Sequence, residues 1–195
     1  RDAADALVCV YGVAAPSPGG GVPDADARTF VEAGPAGWWY TALVPGGRRT
    51  VARLTDADVI RRLPWRDTAW LASQVRETHH LGPLLARHGY EFVGPPKCTS
   101  ANSSRISPWY GDGWLAVGDA AVAFDPLSSQ GLLNALYSGL RGADAVAEAL
   151  AGDPVAVTRY AEVLATVWAA YLKNLGEYYR QERRWRERAF WCRRQ

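Results

Sequence analysis

The sequence contains no methionine and only three cysteines among its 195 residues. Cys9, Cys98 and Cys192 lie far apart, are odd in number and show neither metal-ligand spacing nor the pattern of a disulfide framework. We therefore expect reduced thiols, as in a cytoplasmic protein, and no metal site. The missing start residue and an abrupt beginning at Arg1, directly before an apolar segment, indicate a piece of a longer protein. A processed or trimmed chain is the alternative.

Long apolar runs and a large excess of one charge are also missing. No run approaches the ~20 residues of a membrane span, and no signal peptide is recognisable, so no membrane partner is expected. A formal net charge of +2 argues against a bulk polyanion such as nucleic acid. With 48% hydrophobic and 22% charged residues, the chain can bury the core of one or two domains.

The first half of the chain predicts an antiparallel sheet with flanking helices. Apolar and β-branched segments predict strands, and turns rich in Gly and Pro join the last three as a meander: residues 6–15, 28–33, 38–44 and 48–54. Alternation places Trp38 and Tyr40 on one face of the sheet and Trp39 on the other. Two further strands are expected at residues 90–93 and 97–106, separated by Gly94-Pro95-Pro96.

Helix caps mark the helices of the chain. Thr55 or Asp56 caps a short helix and Asp67 caps a second, which runs to about residue 88 and breaks or kinks at Gly82-Pro83. Asp153 caps a long helix that runs to about residue 183, with an apolar stripe from Tyr160 to Tyr178. A further helix is predicted between them at residues 132–150. Leucine and alanine residues recur along it at helical spacing and predict a buried stripe: Leu132, Leu136, Leu140, Ala143, Ala147 and Leu150. The fold class expected is α+β.

Residues 112–131 combine a strand end, an acidic residue and the start of a helix. Gly118 lets a ligand approach the backbone after the apolar strand 114–117, and the carboxylate of Asp119 suits sugar or ribityl hydroxyls. Pro126 fixes a turn, and the loop residues Ser128, Ser129 and Gln130 lead to the helix start at Gly131. Unpaired N–H groups there stabilise negative charge on a ligand by roughly 0.3–1 kcal/mol. A lone Gly-Asp is more typical of an ordinary turn, but this combination predicts a site for a polar, partly anionic ligand.

These motifs resemble those of flavin-dependent monooxygenases, the group that includes aromatic hydroxylases and tryptophan halogenases. The second flavin motif of that group is a Gly-Asp after a strand, a loop containing Pro, and a helix that points at the flavin ring. Gly118-Asp119-Ala120-Ala121 and Asp125-Pro126-Leu127-Ser128-Ser129-Gln130-Gly131 match it. Together with Gly37-Trp38-Trp39-Tyr40 and residues 185–194, they are most similar to the halogenase-like oxidoreductases that modify protein tryptophans during quinone-cofactor maturation.

The resemblance implies FAD as cofactor and assigns roles to individual residues. Asp119, with Gly118 before it, would bind the ribityl chain, and Pro126 would lie beside the flavin. The backbone of Gly131 and Leu132 would face the pyrimidine edge, and Ser129 and Gln130 at the end of the loop would also bind the cofactor. The sheet of residues 38–54, with Trp38 and Tyr40, would form the wall for an aromatic substrate, either a small molecule or a peptidyl one. Residues 1–110 would be the substrate domain, 111–152 the last part of the FAD domain and 153–195 a helical segment.

Three features of the group are missing from the sequence. No stretch has the Gly-x-Gly-x-x-Gly motif that opens the dinucleotide-binding half, and the halogenase lysine belongs to that half. The Trp-x-Trp-x-Ile-Pro motif of halogenases is absent as well. The resemblance therefore implies the C-terminal half of such an enzyme, which alone binds FAD weakly or not at all. A surface left by the missing half would favour self-association.

Several other residues have a functional and a structural interpretation. His79-His80 is more typical of an exposed helix face than of catalysis. Arg105 is more typical of a solvated or structural arginine than of one that pairs with a carboxylate or a cofactor phosphate. Cys98 and Cys192 have no activating base nearby and are interpreted as inert thiols. The tail from residue 180 holds seven arginines, but its acidic residues favour a segment packed on its own protein over a nucleic-acid surface.

Two hypotheses of different class remain. The first is an FAD-dependent oxidoreductase of the monooxygenase or halogenase-like type that acts on an aromatic substrate such as tryptophan or an indole. The second is a non-catalytic binding or assembly module that has lost the dinucleotide-binding half.

Overall fold

The computed structural model describes all residues from Arg1 to Gln195 and forms two compact units. The sheet unit comprises residues 7–100 and 182–195, and the motif unit comprises residues 1–6 and 101–181. Residues 111–152 and the helix that follows them lie in one unit. The last 14 residues join the sheet unit, where Arg194 forms an ion pair with Asp56. The α+β class is confirmed.

The chain contains ten strands, seven α-helices and one 3-10 turn at Pro126–Ser128. The strands are β1 (Asp2–Ala3), β2 (Leu7–Pro16), β3 (Phe30–Gly34), β4 (Gly37–Val44), β5 (Arg48–Asp56), β6 (Tyr90–Ser100), β7 (Ser104–Arg105), β8 (Tyr110–Gly111), β9 (Trp114–Leu115) and β10 (Val122–Ala123). The helices are α1 (Ala57–Ile60), α2 (Thr68–Arg76), α3 (Leu81–Arg87), α4 (Gly118–Ala121), α5 (Gly131–Leu150), α6 (Ala156–Arg180) and α7 (Ala189–Cys192). None of the helices combines the length and the apolar character that crossing a membrane requires.

The sheet unit is built on a five-stranded antiparallel sheet in the order β3-β4-β5-β2-β6. The predicted meander is confirmed, with Trp38 opposite Leu54 and Trp39 opposite Arg53. One face of the sheet packs against α1, α2 and α3, and its core is formed by buried apolar side chains: Val10, Ala14, Trp39, Val51, Ile60, Leu71, Val75, Leu81 and Leu85. Trp38 and Tyr40 lie on the opposite face, as the alternation predicts.

Two predicted boundaries in the sheet unit are wrong. The break between α2 and α3 lies at residues 77–80, before Gly82-Pro83. Proline is tolerated in the first turn of a helix because its missing N–H has no intrahelical partner there. The two strands expected around Gly94-Pro95-Pro96 are one continuous strand, β6, whose pairing with β2 shifts register near Tyr11 and absorbs the irregularity.

The motif unit contains a small antiparallel sheet in the order β1-β7-β10, the hairpin β8-β9, and helices α4, α5 and α6. Its core is mostly aromatic and small side chains: Ala116, Ala121, Val122, Ala145, Tyr160, Leu164, Trp168 and Tyr171. The strand predicted at 114–117 is shorter than expected, since the chain turns into α4 at Gly118. The α6 stripe ends on a different residue, because Tyr179 is buried and Tyr178 is 66% exposed.

The buried stripe predicted on α5 is wrong. Leu132, Leu136 and Leu140 are 76%, 67% and 64% exposed, and the buried residues of the helix are Asn134, Ser138, Gly142 and Ala145. Close packing selects this small and polar face: a side chain added at Gly142 would lie 2.8 Å from Val117 Cγ1. The periodicity identified an apolar face correctly, but it could not tell which face the chain itself covers.

Candidate functional site

The Gly-Asp pair lies at the start of α4, directly after hairpin strand β9. Gly118 has φ +56°, a left-handed conformation that favours glycine, and its buried N–H donates to Ser138 Oγ at 2.7 Å. Asp119 is exposed, and its backbone carbonyl accepts a hydrogen bond from Arg1 Nη2 at 2.7 Å. Its carboxylate is therefore presented to solvent by an element that α5 holds in place.

The loop from Asp125 to Gln130 leads directly into α5. Asp125 Oδ1 accepts from the N–H of Leu127 at 2.8 Å and so fixes the 3-10 turn that Pro126 opens. Ser129 has φ +53° and is the non-glycine residue with a positive φ. Residues held in this conformation cluster at ligand-binding turns. Pro126, Ser129 and Gln130 are all exposed, so the loop presents its outer surface to solvent.

The N-terminus of α5 has no side-chain cap. The first helical hydrogen bond is donated by the N–H of Asn134 to the Gln130 carbonyl at 2.8 Å, so the amides before it point out of the helix end. A side chain added at Gly131 would meet nothing within 4 Å, and Leu132 beside it is exposed. This arrangement can hold a negatively charged or electron-rich ligand edge against the positive end of the helix dipole.

A buried polar network beneath the loop was not predicted from the sequence. Tyr179 donates to Asp125 Oδ2 at 2.6 Å, and the N–H of Asp125 donates to the Tyr171 hydroxyl at 2.7 Å. The Tyr171 hydroxyl also bonds Ser103 Oγ at 2.6 Å, and burial raises the pKa of Tyr171 to about 12. The sequence analysis places Tyr171 in the apolar stripe of α6 and assigns no role to Tyr179, because contacts between residues 46 and 54 positions apart leave no local signal in the sequence. The network makes the loop a fixed element.

The loop also borders a cavity of about 470 Å³ within the motif unit. Ser128, Ser129 and Gln130 form one side of it, and α6 forms the other with Tyr171 and Asn174. The structure thus brings together the loop residues Ser129 and Gln130 with the helix start at Gly131, while Gly118 and Asp119 lie at the neighbouring helical turn that packs on α5.

The two residues predicted to face a substrate differ in accessibility. Trp38 is 2% exposed, whereas Tyr40 is half-buried. Both lie on β4 and on the face of the sheet opposite the one that packs against α1, α2 and α3. Of the pair, Tyr40 is the ring that solvent reaches in this structure.

The remaining candidates have structural surroundings. His79 and His80 are exposed in the turn between α2 and α3. Arg105 lies 3.7 Å from Asp2 and over the ring of Trp109. Burial raises the pKa of Cys9 to about 12 and that of Cys98 above its ordinary value, which makes the reactive thiolate scarce. No group of three or more His, Cys, Asp and Glu side chains is arranged to hold a metal ion.

The arginine-rich tail packs on the sheet unit to which it belongs. Arg193 forms ion pairs with Asp56 and Asp58, and Arg194 with Asp56. Trp191 donates from Nε1 to the Gly34 carbonyl at 2.8 Å. These contacts engage two of the tail cations within the protein and leave fewer for a nucleic-acid surface.

The fold is that of part of the flavin-dependent halogenases and hydroxylases. QhpG, a peptidyl tryptophan dihydroxylase essential for tryptophylquinone cofactor biogenesis, matches with a TM-score of 0.79 and 23% identity, over 100% of this chain and 44% of QhpG. CmlS, a flavin-dependent halogenase, matches with a TM-score of 0.79 and 19% identity, over 97% of this chain and 35% of CmlS. No family model matches the sequence.

Two proteins are related in sequence as well. LodB of Marinomonas mediterranea, which carries the name of an FAD-dependent oxidoreductase, is 29% identical over 159 residues, which are 81% of this chain and 42% of LodB. A 1H-pyrrole-2-carbonyl-(peptidyl-carrier protein) brominase of Pseudoalteromonas luteoviolacea is 41% identical over 63 residues, 32% of this chain and 16% of the brominase. The predicted relationship to FAD-dependent oxidoreductases and halogenases is confirmed, and the chain spans less than half the length of these relatives.

Proposed function

We propose that the chain is the part of an FAD-dependent oxidoreductase, of the monooxygenase or halogenase-like type, that meets the ribityl chain and the ring of the flavin. The observation that carries the proposal is the uncapped N-terminus of α5, fixed next to the exposed Asp119 by contacts of the same unit. Relatives named as FAD-dependent enzymes support it.

Each predicted flavin residue has a physical role in this proposal. The Asp119 carboxylate accepts hydrogen bonds from ribityl hydroxyls, and Gly118 keeps the backbone close to them. Pro126 and the loop residues Ser129 and Gln130 lie against the ring, and the first amides of α5, at Gly131 and Leu132, stabilise negative charge at its edge. The residues present fit the group, because the carboxylate is exposed and the amides lack a side-chain cap. The chemistry that a bound flavin supplies in such enzymes is activation of O2 for attack on an aromatic ring.

The proposed substrate is aromatic, a tryptophan or an indole, either free or within a peptide. The name of QhpG describes a peptidyl tryptophan as its substrate, and that of the brominase describes a carrier-bound pyrrole. The half-buried ring of Tyr40, with the buried Trp38 two residues before it on β4, is the wall proposed to face the substrate.

The exposed apolar face of α5 is proposed to pack against the dinucleotide-binding half of the complete enzyme. Leu132, Leu133, Leu136 and Leu140 are each more than 60% exposed on this one helix. Exposed apolar surface of this extent is typical of a contact with another protein surface.

The DNA upstream of the codon for Arg1 distinguishes the proposal from its alternative. An in-frame segment that encodes a strand, a Gly-x-Gly-x-x-Gly motif and a helix supports the oxidoreductase. A start codon immediately before Arg1 would contradict it and would favour a non-catalytic binding or assembly module.

A further inference from the structure

A second cavity lies within the sheet unit, at the β3–β4 end of the sheet. Its volume is about 430 Å³, within the range of small-molecule sites. One wall is the turn of residues 34–37 between β3 and β4. A side chain at Gly37, where φ is +135°, would lie 2.0 Å from the Leu54 carbonyl oxygen. The glycine keeps this turn tight against β5, which brings Arg53 into the cavity wall.

Arg53 is a buried cation with no carboxylate in hydrogen-bonding contact. It is 8% exposed, and its guanidinium lies between the rings of Trp39 and Trp70, 5.5 Å from each centroid. Its hydrogen-bond partner is a neutral one, Gln74 Oε1, at 2.8 Å from Nη1. Buried charges are normally paired with an opposite charge. A guanidinium that lines a cavity with donors to spare is suited to bidentate binding of a carboxylate.

The acidic residues around the cavity do not neutralise Arg53. The Glu32 carboxylate accepts from the backbone N–H groups of His80 and Leu81, each at 3.0 Å, and also from that of His79. Glu77 is exposed and forms no ion pair with Arg53. Burial lowers the pKa of Arg53, and the charge of Glu77 opposes that change without cancelling it.

Indole rings form the apolar part of the cavity wall. Trp39 lies in the sheet, and Trp185 reaches the cavity from the tail. Trp185 stacks on Trp191 with ring centroids 6.3 Å apart, and Trp191 is hydrogen-bonded to Gly34 of the same turn. The tail therefore adds an aromatic surface to the wall of the cavity that Arg53 also lines.

We propose that this cavity binds a small aromatic carboxylate, with the carboxylate paired to Arg53 and the ring packed against Trp39 and Trp185. The inference concerns the sheet unit alone and does not depend on flavin binding. Its failure would leave the proposed oxidoreductase function untouched.

The first test compares an acid with its neutral isostere on the 195-residue chain. Indole-3-acetate and indole-3-acetamide are titrated by calorimetry, with quenching of tryptophan fluorescence as a second readout. We expect the acid to bind at least tenfold more tightly than the amide, because only the acid supplies the missing charge. Equal affinities, or no binding of the acid, would overturn the proposal.

Substitutions then place the binding at Arg53. Arg53→Gln should weaken binding of indole-3-acetate at least tenfold, whereas Arg48→Gln, an exposed arginine on the same strand, should change it less than twofold. Gln74→Glu puts a carboxylate within reach of Arg53; it should raise the melting temperature and abolish binding of the acid. Because this variant retains or gains stability, it tests the site even if Arg53→Gln unfolds. Undiminished binding in Gln74→Glu would contradict the assignment.

Discussion

Individual buried polar contacts hold the candidate flavin motif in place. Ser138 is 0% exposed. Its Oγ accepts from the N–H of Gly118 and donates to the Asn134 carbonyl at 2.6 Å. Asp125, 1% exposed, is bonded by Tyr179 and by the N–H of Leu127. The Ser138 hydroxyl satisfies a buried backbone N–H, so its loss costs more than the loss of an exposed hydrogen bond.

Replacing Ser138 should show this cost directly. Ser138→Ala leaves the buried N–H of Gly118 without a partner and should lower the free energy of unfolding by about 1–3 kcal/mol. The measurement is urea unfolding followed by circular dichroism. Thr166→Ala, an exposed helical hydroxyl bonded to the Glu162 carbonyl, is the control and should change stability by less than about 0.5 kcal/mol. Equal effects of the two substitutions would contradict the role given to Ser138.

A buried ion pair in the sheet unit should make stability depend on acid pH. Burial acts to raise the pKa of Asp24, but hydrogen bonds, the strongest from Arg49, outweigh it and lower the pKa to about 2. The side chains of Arg49 and Asp24 are 0% and 3% exposed and lie 2.6 Å apart. Because the folded pKa is below the ordinary value of 3.8, the stabilisation is complete above about pH 4 and is lost as the pH falls toward 2.

This lowered pKa corresponds to a contribution of roughly 2 kcal/mol to the free energy of unfolding above pH 4. The free energy of unfolding, measured with urea between pH 5 and pH 2, should therefore change less with pH for Asp24→Asn than for the unaltered chain. The variant should also be less stable at pH 5, since Arg49 remains buried without its partner. Parallel pH curves for the two proteins would rule out this account of the pair.

At the scale of the elements, α5 presents opposite properties on its two faces. The face that packs on α4 and α6 carries small and polar residues, and the opposite face carries exposed leucines. The second face should make the isolated chain self-associate, since burying it removes apolar surface from water.

Sedimentation velocity over a range of concentrations measures this association. The unaltered chain should form larger species as its concentration rises, and the double substitution Leu136→Glu with Leu140→Glu should shift the chain to monomer. Val155→Glu is the control: it adds an acidic group at a residue outside α5 that is 51% exposed. This substitution should leave the association unchanged. A chain that stays monomeric throughout would refute the expectation.

Sequence patterns predicted the elements better than their environments. The meander from β3 to β5, the Asp67 cap and α5 followed from period-2 alternation, turn chemistry and helical spacing, which are local properties. Contacts between residues distant in sequence determine the other features. These are the buried face of α5, the continuity of β6 through Gly94-Pro95-Pro96, and the hydrogen bond between Asp125 and Tyr179. Similarly, the motif identifies Gly118, Asp119 and Gly131, whereas Arg53 has no local signal, because its significance depends on its burial beside the neutral Gln74.

At the scale of the whole molecule, the chain is similar to one half of the enzymes that it resembles. Residues 118–131 are similar to the second flavin motif of that group, and the Gly-x-Gly-x-x-Gly motif is absent from these 195 residues. Because the binding energy of a dinucleotide is distributed along its length, the ring half alone should bind weakly. The purified 195-residue chain should thus be colourless, and a visible absorbance spectrum with stoichiometric yellow flavin would contradict this expectation.

The central claim is that Asp119 and the start of α5 form the half of a flavin site that meets the ribityl chain and the ring. Its most direct test is FAD binding by the protein expressed from the complete reading frame, with the bound flavin per chain measured by visible absorbance. We predict stoichiometric FAD, with an affinity that Asp119→Ala lowers at least roughly tenfold and that Asp112→Ala, at an exposed acid in the nearby hairpin turn, leaves unchanged. A complete protein without FAD, or one whose FAD affinity is the same after Asp119→Ala, would contradict it.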